Sequence, residues 1–281
     1  MKENVYNIED VFFFDLYISA SGGAVYISRA SVDVSFLSDS FIWCRLDGND
    51  YVGGGFYVNV SNVSVLCSSF ERCYAYNEGS AFRIDTAAMA YTISSFSVDS
   101  IKGSEYNIIQ DCAQMFNQGN NIMKSGNFSR CTPKECSILK IHANTSAPVA
   151  KITFMNFDSS SSQGNRAFFY LYSSASFESC NFLDISAHYL FAFNLVPKIT
   201  ITKSVFDGIS IRSRGLNPVL SFTFFDCFVV ETSIASILGV SPTESIDRIL
   251  INPFLRCQIN ENSIKSFNFN NLHLIVASLI S

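Results

Sequence analysis

The chain has 281 residues, 48% hydrophobic and only 15% charged, a composition that excludes intrinsic disorder. Its net charge of −5 at pH 7 excludes the basic face that nucleic acid requires, and no Lys/Arg run alternates with aromatics. The 27 Phe against one Trp suit a β-rich body with aromatics stacked inside.

The amino terminus carries Glu3, Glu9 and Asp10 and lacks the long apolar core of a signal peptide. Residues 1–20 read as an incomplete first coil, with Val11 to Ile18 as its strand. A repeat then begins. Gly22-Gly23-Ala24-Val25 leads into a β-prone run, an alternating run follows at Val32 to Phe36, and Phe41-Ile42-Trp43-Cys44 closes the unit. The pattern returns at Gly53-Gly54-Gly55-Phe56, closing with Phe70 and Cys73, and more loosely at Gly79-Ser80-Ala81-Phe82, closing with Phe96. Self-similarity at a fixed period is the mark of a solenoid, because one unit cannot bury its apolar face without stacked neighbours.

The register continues through less regular sequence. Phe41 to Phe70 is 29 residues, Phe70 to Phe128 is twice 29, and Phe157 lies 29 after Phe128. The stretch 102–150 is therefore expected to be a distorted continuation, with Cys131 closing the Phe128 unit. Closing aromatics at Phe182, Phe206 and Phe228 then give steps of 24 and 22. Residues 231–281 keep apolar runs but lose the pattern, as terminal coils and a cap would. No segment holds helical apolar spacing over several turns, and the short alternating runs are separated by Gly, Ser, Asn and Asp. The expected fold is all-β: one domain over 1–281, a single-stranded right-handed parallel β-helix of about ten coils, clearest over 21–230.

The units resemble the repeats of the polymorphic outer-membrane proteins, marked by Gly-Gly-Ala-[Ile/Val/Leu] and Phe-x-x-Asn. Gly22-Gly23-Ala24-Val25 fits the first mark fully, and the units at Gly53 and Gly79 fit in part. The second mark departs, with Cys44, Cys73 and Cys131 where that family has Asn. Similar repeats occur in large surface proteins of protists. The resemblance covers residues 20–100 well and 100–230 weakly. It implies a right-handed β-helix of the pectate-lyase-like kind, displayed at a cell surface and used in adhesion.

Enzyme chemistry would leave other marks in the sequence. Glycoside hydrolysis needs two carboxyls facing one bond. The chain has no adjacent Asp pair and no Gly-His-Gly, and Asp99, Asp158, Asp184, Asp207 and Asp226 mostly follow closing aromatics, where a turn begins. Arg212-Ser213-Arg214 reads as a solvated loop. The three His (142, 188 and 273) lie outside any nucleophile-elbow motif, and Cys131, Cys136 and His142 fall short of the four ligands of a zinc site. A disulfide between Cys131 and Cys136 is the better use of that pair outside the cell. Cys44 and Cys73 are expected to form a column of small buried hydrophobes.

The expected function is a non-enzymatic surface-displayed or secreted protein for adhesion or ligand interaction, with glycans or cell-surface proteins as partners and no cofactor or metal. The alternative is a polysaccharide lyase or hydrolase acting on acidic polysaccharide along the solenoid face, revealed by three or more carboxylates or a carboxylate–Arg cluster meeting in one groove. Asn59, Asn62, Asn127 and Asn144 are N-glycosylation acceptors by motif. No stretch reaches the length of a membrane-spanning helix. The closing Leu272 to Ile280 reads as a last strand, and any membrane anchor would lie beyond Ser281. Open coil edges lead to an expectation of end-to-end self-association.

Overall fold

The computed structural model describes residues 4–230, apart from 47–50, 77, 87–90, 103–111, 118–120, 134–136, 144–148, 163–166, 194–197 and 213–220. The segment 231–281, His273, Cys136 and Asn144 lie outside the described residues. All elements among the described residues are strands, and they pair in parallel with strands one coil away, giving a β-solenoid. Among the described residues about six turns carry all three strand faces, against about ten coils expected for the whole chain.

Each turn contributes inward columns to one continuous core. On one face the column runs Phe56–Phe82–Ala113–Leu139–Phe169–Phe191. On the next it runs Ile8–Phe36–Val65–Ile93–Met123–Ile152–Phe177–Ile201–Phe224. On the third it runs Phe13–Phe41–Phe70–Val98–Phe128–Phe157–Phe182–Phe206–Val229. Alternation explains this. A strand points successive side chains to opposite sides, so in-register stacking places like residues above one another. Rings in the third column stack at 4.5–5.6 Å where Phe follows Phe, as at Phe13–Phe41, Phe128–Phe157 and Phe182–Phe206. Each fully buried Phe contributes about 1.5–3 kcal/mol of apolar transfer.

The third face is a short strand held between two sharp corners, and both corners recur at fixed positions. The first is the left-handed column Asp10, Ser38, Cys67, Ser95, Ser125, Phe154, Ser179, Lys203 and Asp226. The second is Asp15, Trp43, Arg72, Ser100, Arg130, Ser159, Asp184 and Gly208. A single left-handed residue reverses the chain's direction within one step, and Ser and Asp tolerate it better than branched residues do. The corner N–H groups are not lost. Those of Ser38, Cys67, Arg72 and Asp184 donate to carbonyls of the following coil at 2.9–3.2 Å. Asp158 and Asp207 directly precede a corner, and Asp184 and Asp226 occupy one.

The Gly-Gly repeat has two separate causes. Gly53 has φ 78°, so it supplies conformation. Gly54 supplies proximity, because a Cβ there would stand 2.1 Å from the Ser80 carbonyl oxygen. Gly22 and Gly79 share the positive φ of Gly53, and Gly23 packs against Gly54 as Gly54 does against Ser80. The stretch 102–150 continues the same ladders through strands Ala113–Asn117, Asn121–Ser129 and Leu139–Ala143.

Phe96 departs from the expected pattern. Val98 takes its rung in the Phe column, and Phe96 turns inward two residues earlier, just past the Ser95 corner. Its ring fills the space over Gly126, where a Cβ would meet the Phe96 ring at 2.3 Å and Met155 at 2.8 Å. The ring meets Phe128 edge-on at 5.7 Å. A large residue two places early and a missing side chain one coil later preserve the core volume.

Candidate functional site

Inside the solenoid, the polar and sulfur groups act as structure. Cys44 and Cys73 occupy successive rungs just past the second corner, with Cys131 two rungs further on, and all three are free and buried. The Cys73 thiol donates to the Phe41 carbonyl at 3.3 Å and the Cys131 thiol to the Ser129 carbonyl at 3.3 Å. A hydrogen bond with Cys73, followed by burial, pushes the Cys44 thiol far up, and burial pushes Cys180 up to about 12. Cys44 and Cys180 are thus held as thiols in the core, unsuited to nucleophilic work. The expected Cys131–Cys136 disulfide is overturned, because Cys131 points into the core and is free. Cys67, on a corner, is disulfide-bonded.

Asp39 is fully buried just past the first corner. Its Oδ1 accepts the Val11 N–H at 2.9 Å and its Oδ2 the Leu37 N–H at 3.0 Å, stitching the first coil to the second. Burial outweighs these two hydrogen bonds and raises its pKa to about 7. In the same position one coil later, Ser68 donates to the Leu66 carbonyl at 3.1 Å.

Two outer surfaces break the Ser/Asn pattern. The first is an ion-pair network on the strand face that opens with Val25. Arg83 reaches Glu78 at 2.9 Å and Asp85 at 3.2 Å, and Lys140 reaches Glu78 at 2.9 Å from a strand 62 residues away. The four side chains are only 15–20% exposed. The Tyr57 hydroxyl donates to Asp85 at 3.0 Å, and its ring stacks on Tyr26 at 5.2 Å. Burial, then the neighbouring Asp85, holds the Tyr57 phenol above its usual range. Each carboxylate faces a cation, whereas a glycosidase needs two carboxyls facing one bond. The network sets two carboxylates beside Arg83 and Lys140 on the outer wall.

The second surface lies on the outside of the first two coils. Phe12 and Phe14 project outward from one short strand with rings parallel within 10° and centroids 5.8 Å apart. Phe14 pairs with Ile42 in the next coil, and Trp43 follows at the corner, 38% exposed. Tyr17 is exposed nearby. A left-handed Trp is unusual and costs about 1–2 kcal/mol. Two guanidinium groups lie over its ring, Arg45 at 5.4 Å and Arg72 at 5.6 Å. Arg45 is paired with Asp15 at 2.7 Å, and Arg72 with Glu71 at 3.4 Å.

Among the described residues no group of three or more His, Cys, Asp and Glu is placed to hold a metal ion, and no helix is long and apolar enough to cross a membrane. His188 packs edge-on against Tyr189 at 4.4 Å. The N-glycosylation acceptors Asn59, Asn62 and Asn127 lie in strands and are half-buried, with Asn62 donating to Asp33 at 2.8 Å. The comparisons with known proteins add no relative: no family model, no curated protein and no solved structure matches the chain.

Proposed function

We propose that the protein is a non-enzymatic β-helix of the right-handed, pectate-lyase-like kind, displayed at a cell surface or secreted, which works by adhesion or ligand interaction. The observation that carries this reading is the group of outward-facing aromatics Phe12, Phe14 and Trp43 on the first two coils, with Phe154, Phe225 and Phe228 exposed further along the wall. Exposed clusters of large apolar side chains mark interaction sites, and Trp and Arg dominate the energetics of such contacts. The disulfide at Cys67 fits an oxidising compartment. Glycans or cell-surface proteins are the proposed partners, and end-to-end association through coil edges belongs to the same reading.

A second reading is favoured by the Glu78–Arg83–Asp85–Lys140 network: a lyase or hydrolase acting on acidic polysaccharide along that face. One experiment separates the two. Purified protein is applied to glycan-bearing cells and, in parallel, to pectin-like polysaccharides with and without calcium. Retention on cells without product release supports adhesion; calcium-dependent unsaturated sugar ends would move the protein to the enzyme class.

A further inference from the structure

Resting on the interaction reading above, we infer that the open edge of the first coil binds an extended, basic segment of a partner protein, which adds to the solenoid as one more rung.

The backbone sets the template. Among the described residues, strands Asn4–Glu9, Phe12–Phe14 and Tyr17–Ile18 pair on one side only, with strands of the second coil. Successive residues of a strand in a parallel ladder turn their N–H and C=O groups to opposite sides. The Asp10 and Asp15 N–H groups donate to the Leu37 and Ile42 carbonyls, and the Val11 carbonyl accepts the Ser40 N–H, at 2.9–3.0 Å. These groups therefore face the second coil, and alternation turns the amide groups of Val5, Asn7, Glu9, Phe12 and Phe14 to the open side. Such a row, repeating every ~6.6 Å, is matched by another strand and by neither a sugar nor a lipid.

The side chains show what the added strand must carry. Tyr6, Ile8, Val11 and Leu16 pack on the core but are only partly buried. Val34 and Phe36, one rung below Tyr6 and Ile8, are buried. An alternating strand laid on the edge closes the first coil with its inward apolar residues, as the first coil closes the second. Charge then selects the outward residues. Residues 4–18 carry Glu9, Asp10 and Asp15 and no Lys or Arg. Arg45 pairs with Asp15, whereas among the described residues no cation pairs with Glu9 or Asp10. A second copy meeting this edge head to head brings three more carboxylates and is repelled. Lys or Arg on the outward side of the strand is attracted.

The full chain is titrated with a fluorescein-labelled peptide Lys-Val-Lys-Ile-Lys-Val-Lys, its Glu-for-Lys counterpart, and the basic peptide with Pro in place of Ile. The basic peptide is expected to raise the anisotropy saturably, and the other two to bind at least tenfold more weakly. Asn7→Pro removes an open-side N–H and spares the ladder below, a position where an edge strand tolerates Pro. It is expected to weaken the basic peptide about tenfold or more at an unchanged denaturation midpoint. Should that midpoint fall, the surface variant Glu9→Lys with Asp10→Lys decides: it is expected to lose the basic peptide and gain the acidic one. Binding indifferent to the folded variants places the peptide elsewhere and overturns the inference. Dimerisation lost in Asn7→Pro, with no peptide bound, assigns the edge to a second copy and also overturns it. Cells that retain the protein while no peptide binds overturn the inference and leave the interaction reading standing. Failure to bind cells and peptides overturns both.

Discussion

The first two coils and the coils around Phe157 share one interior and differ outside. Phe13 stacks on Phe41 at 4.8 Å, and Phe157 on Phe182 at 5.5 Å, in the same column and register. Outside, the first pair of coils shows Phe12, Phe14 and Ile42, whereas the equivalent positions near Phe157 hold Asn127, Ser129, Asn156 and Asp158. The backbone is the same in both places, so folding does not choose between these outer residues. Inward positions answer to stacking; outward positions are left for contact with other molecules.

The largest expected effect probes the shared interior. Phe182→Ala, whose ring lies between Phe157 and Phe206, is expected to cost about 3–5 kcal/mol in denaturant unfolding. Phe13→Ala, whose ring stacks on Phe41 at the edge of the described column, is expected to cost about half as much. Equal losses would mean that the column does not share load as stacked rungs should.

Next comes the stitch between the first two coils. The Asp39 pKa is raised from 3.8 to about 7, so the folded state holds the proton more tightly than the unfolded chain. Its contribution is fully present below about pH 3.8 and is lost as pH rises through about 7, a change on the order of 4 kcal/mol. Asp39→Asn is expected to flatten that part of the stability curve. If the variant's stability falls between pH 4 and 7 as steeply as the wild type's, another group carries the dependence. A smaller effect is expected at Gly126→Ala, about 1–3 kcal/mol, because the added methyl meets the Phe96 ring. The double variant Phe96→Leu with Gly126→Ala should recover part of that loss, and no recovery would mean that the two residues are not complementary.

Smallest in stability is Trp43→Ser, expected within about 1 kcal/mol of the wild type, since relief of the corner offsets the lost cation–π contacts. A loss of several kcal/mol would make Trp43 a structural residue and erase the contrast between the two surfaces.

The solenoid was legible because its period is written in like residues at like spacing. Gly22, Gly53 and Gly79 recur where φ is positive, and Phe41, Phe70 and Phe128 recur where rings stack. Phe96 misled because size alone marks a closing aromatic, while its true rung depends on where the corner falls; Gly126, one coil later, was the signal that would have corrected it. The corner columns were invisible as a motif, since Ser, Asp, Arg, Lys, Cys, Phe and Trp all occupy them. The ion-pair network was equally hidden, because Lys140 and Glu78 meet only after the intervening coil has stacked. Trp43 appeared in the sequence as one letter of a closing motif; its exposure comes from the corner that turns it outward.

The contrast between the two outer surfaces is tested most directly by binding to glycan-bearing cells. Two variants are compared with the wild type: Phe14→Ser with Trp43→Ser on the first coils, and Asn156→Ser with Asp158→Ser on the later ones. Retention lost in the first and kept in the second, with both folded, is the expected result. Retention unchanged in the first, or lost equally in both, would contradict the assignment of contact to the first two coils.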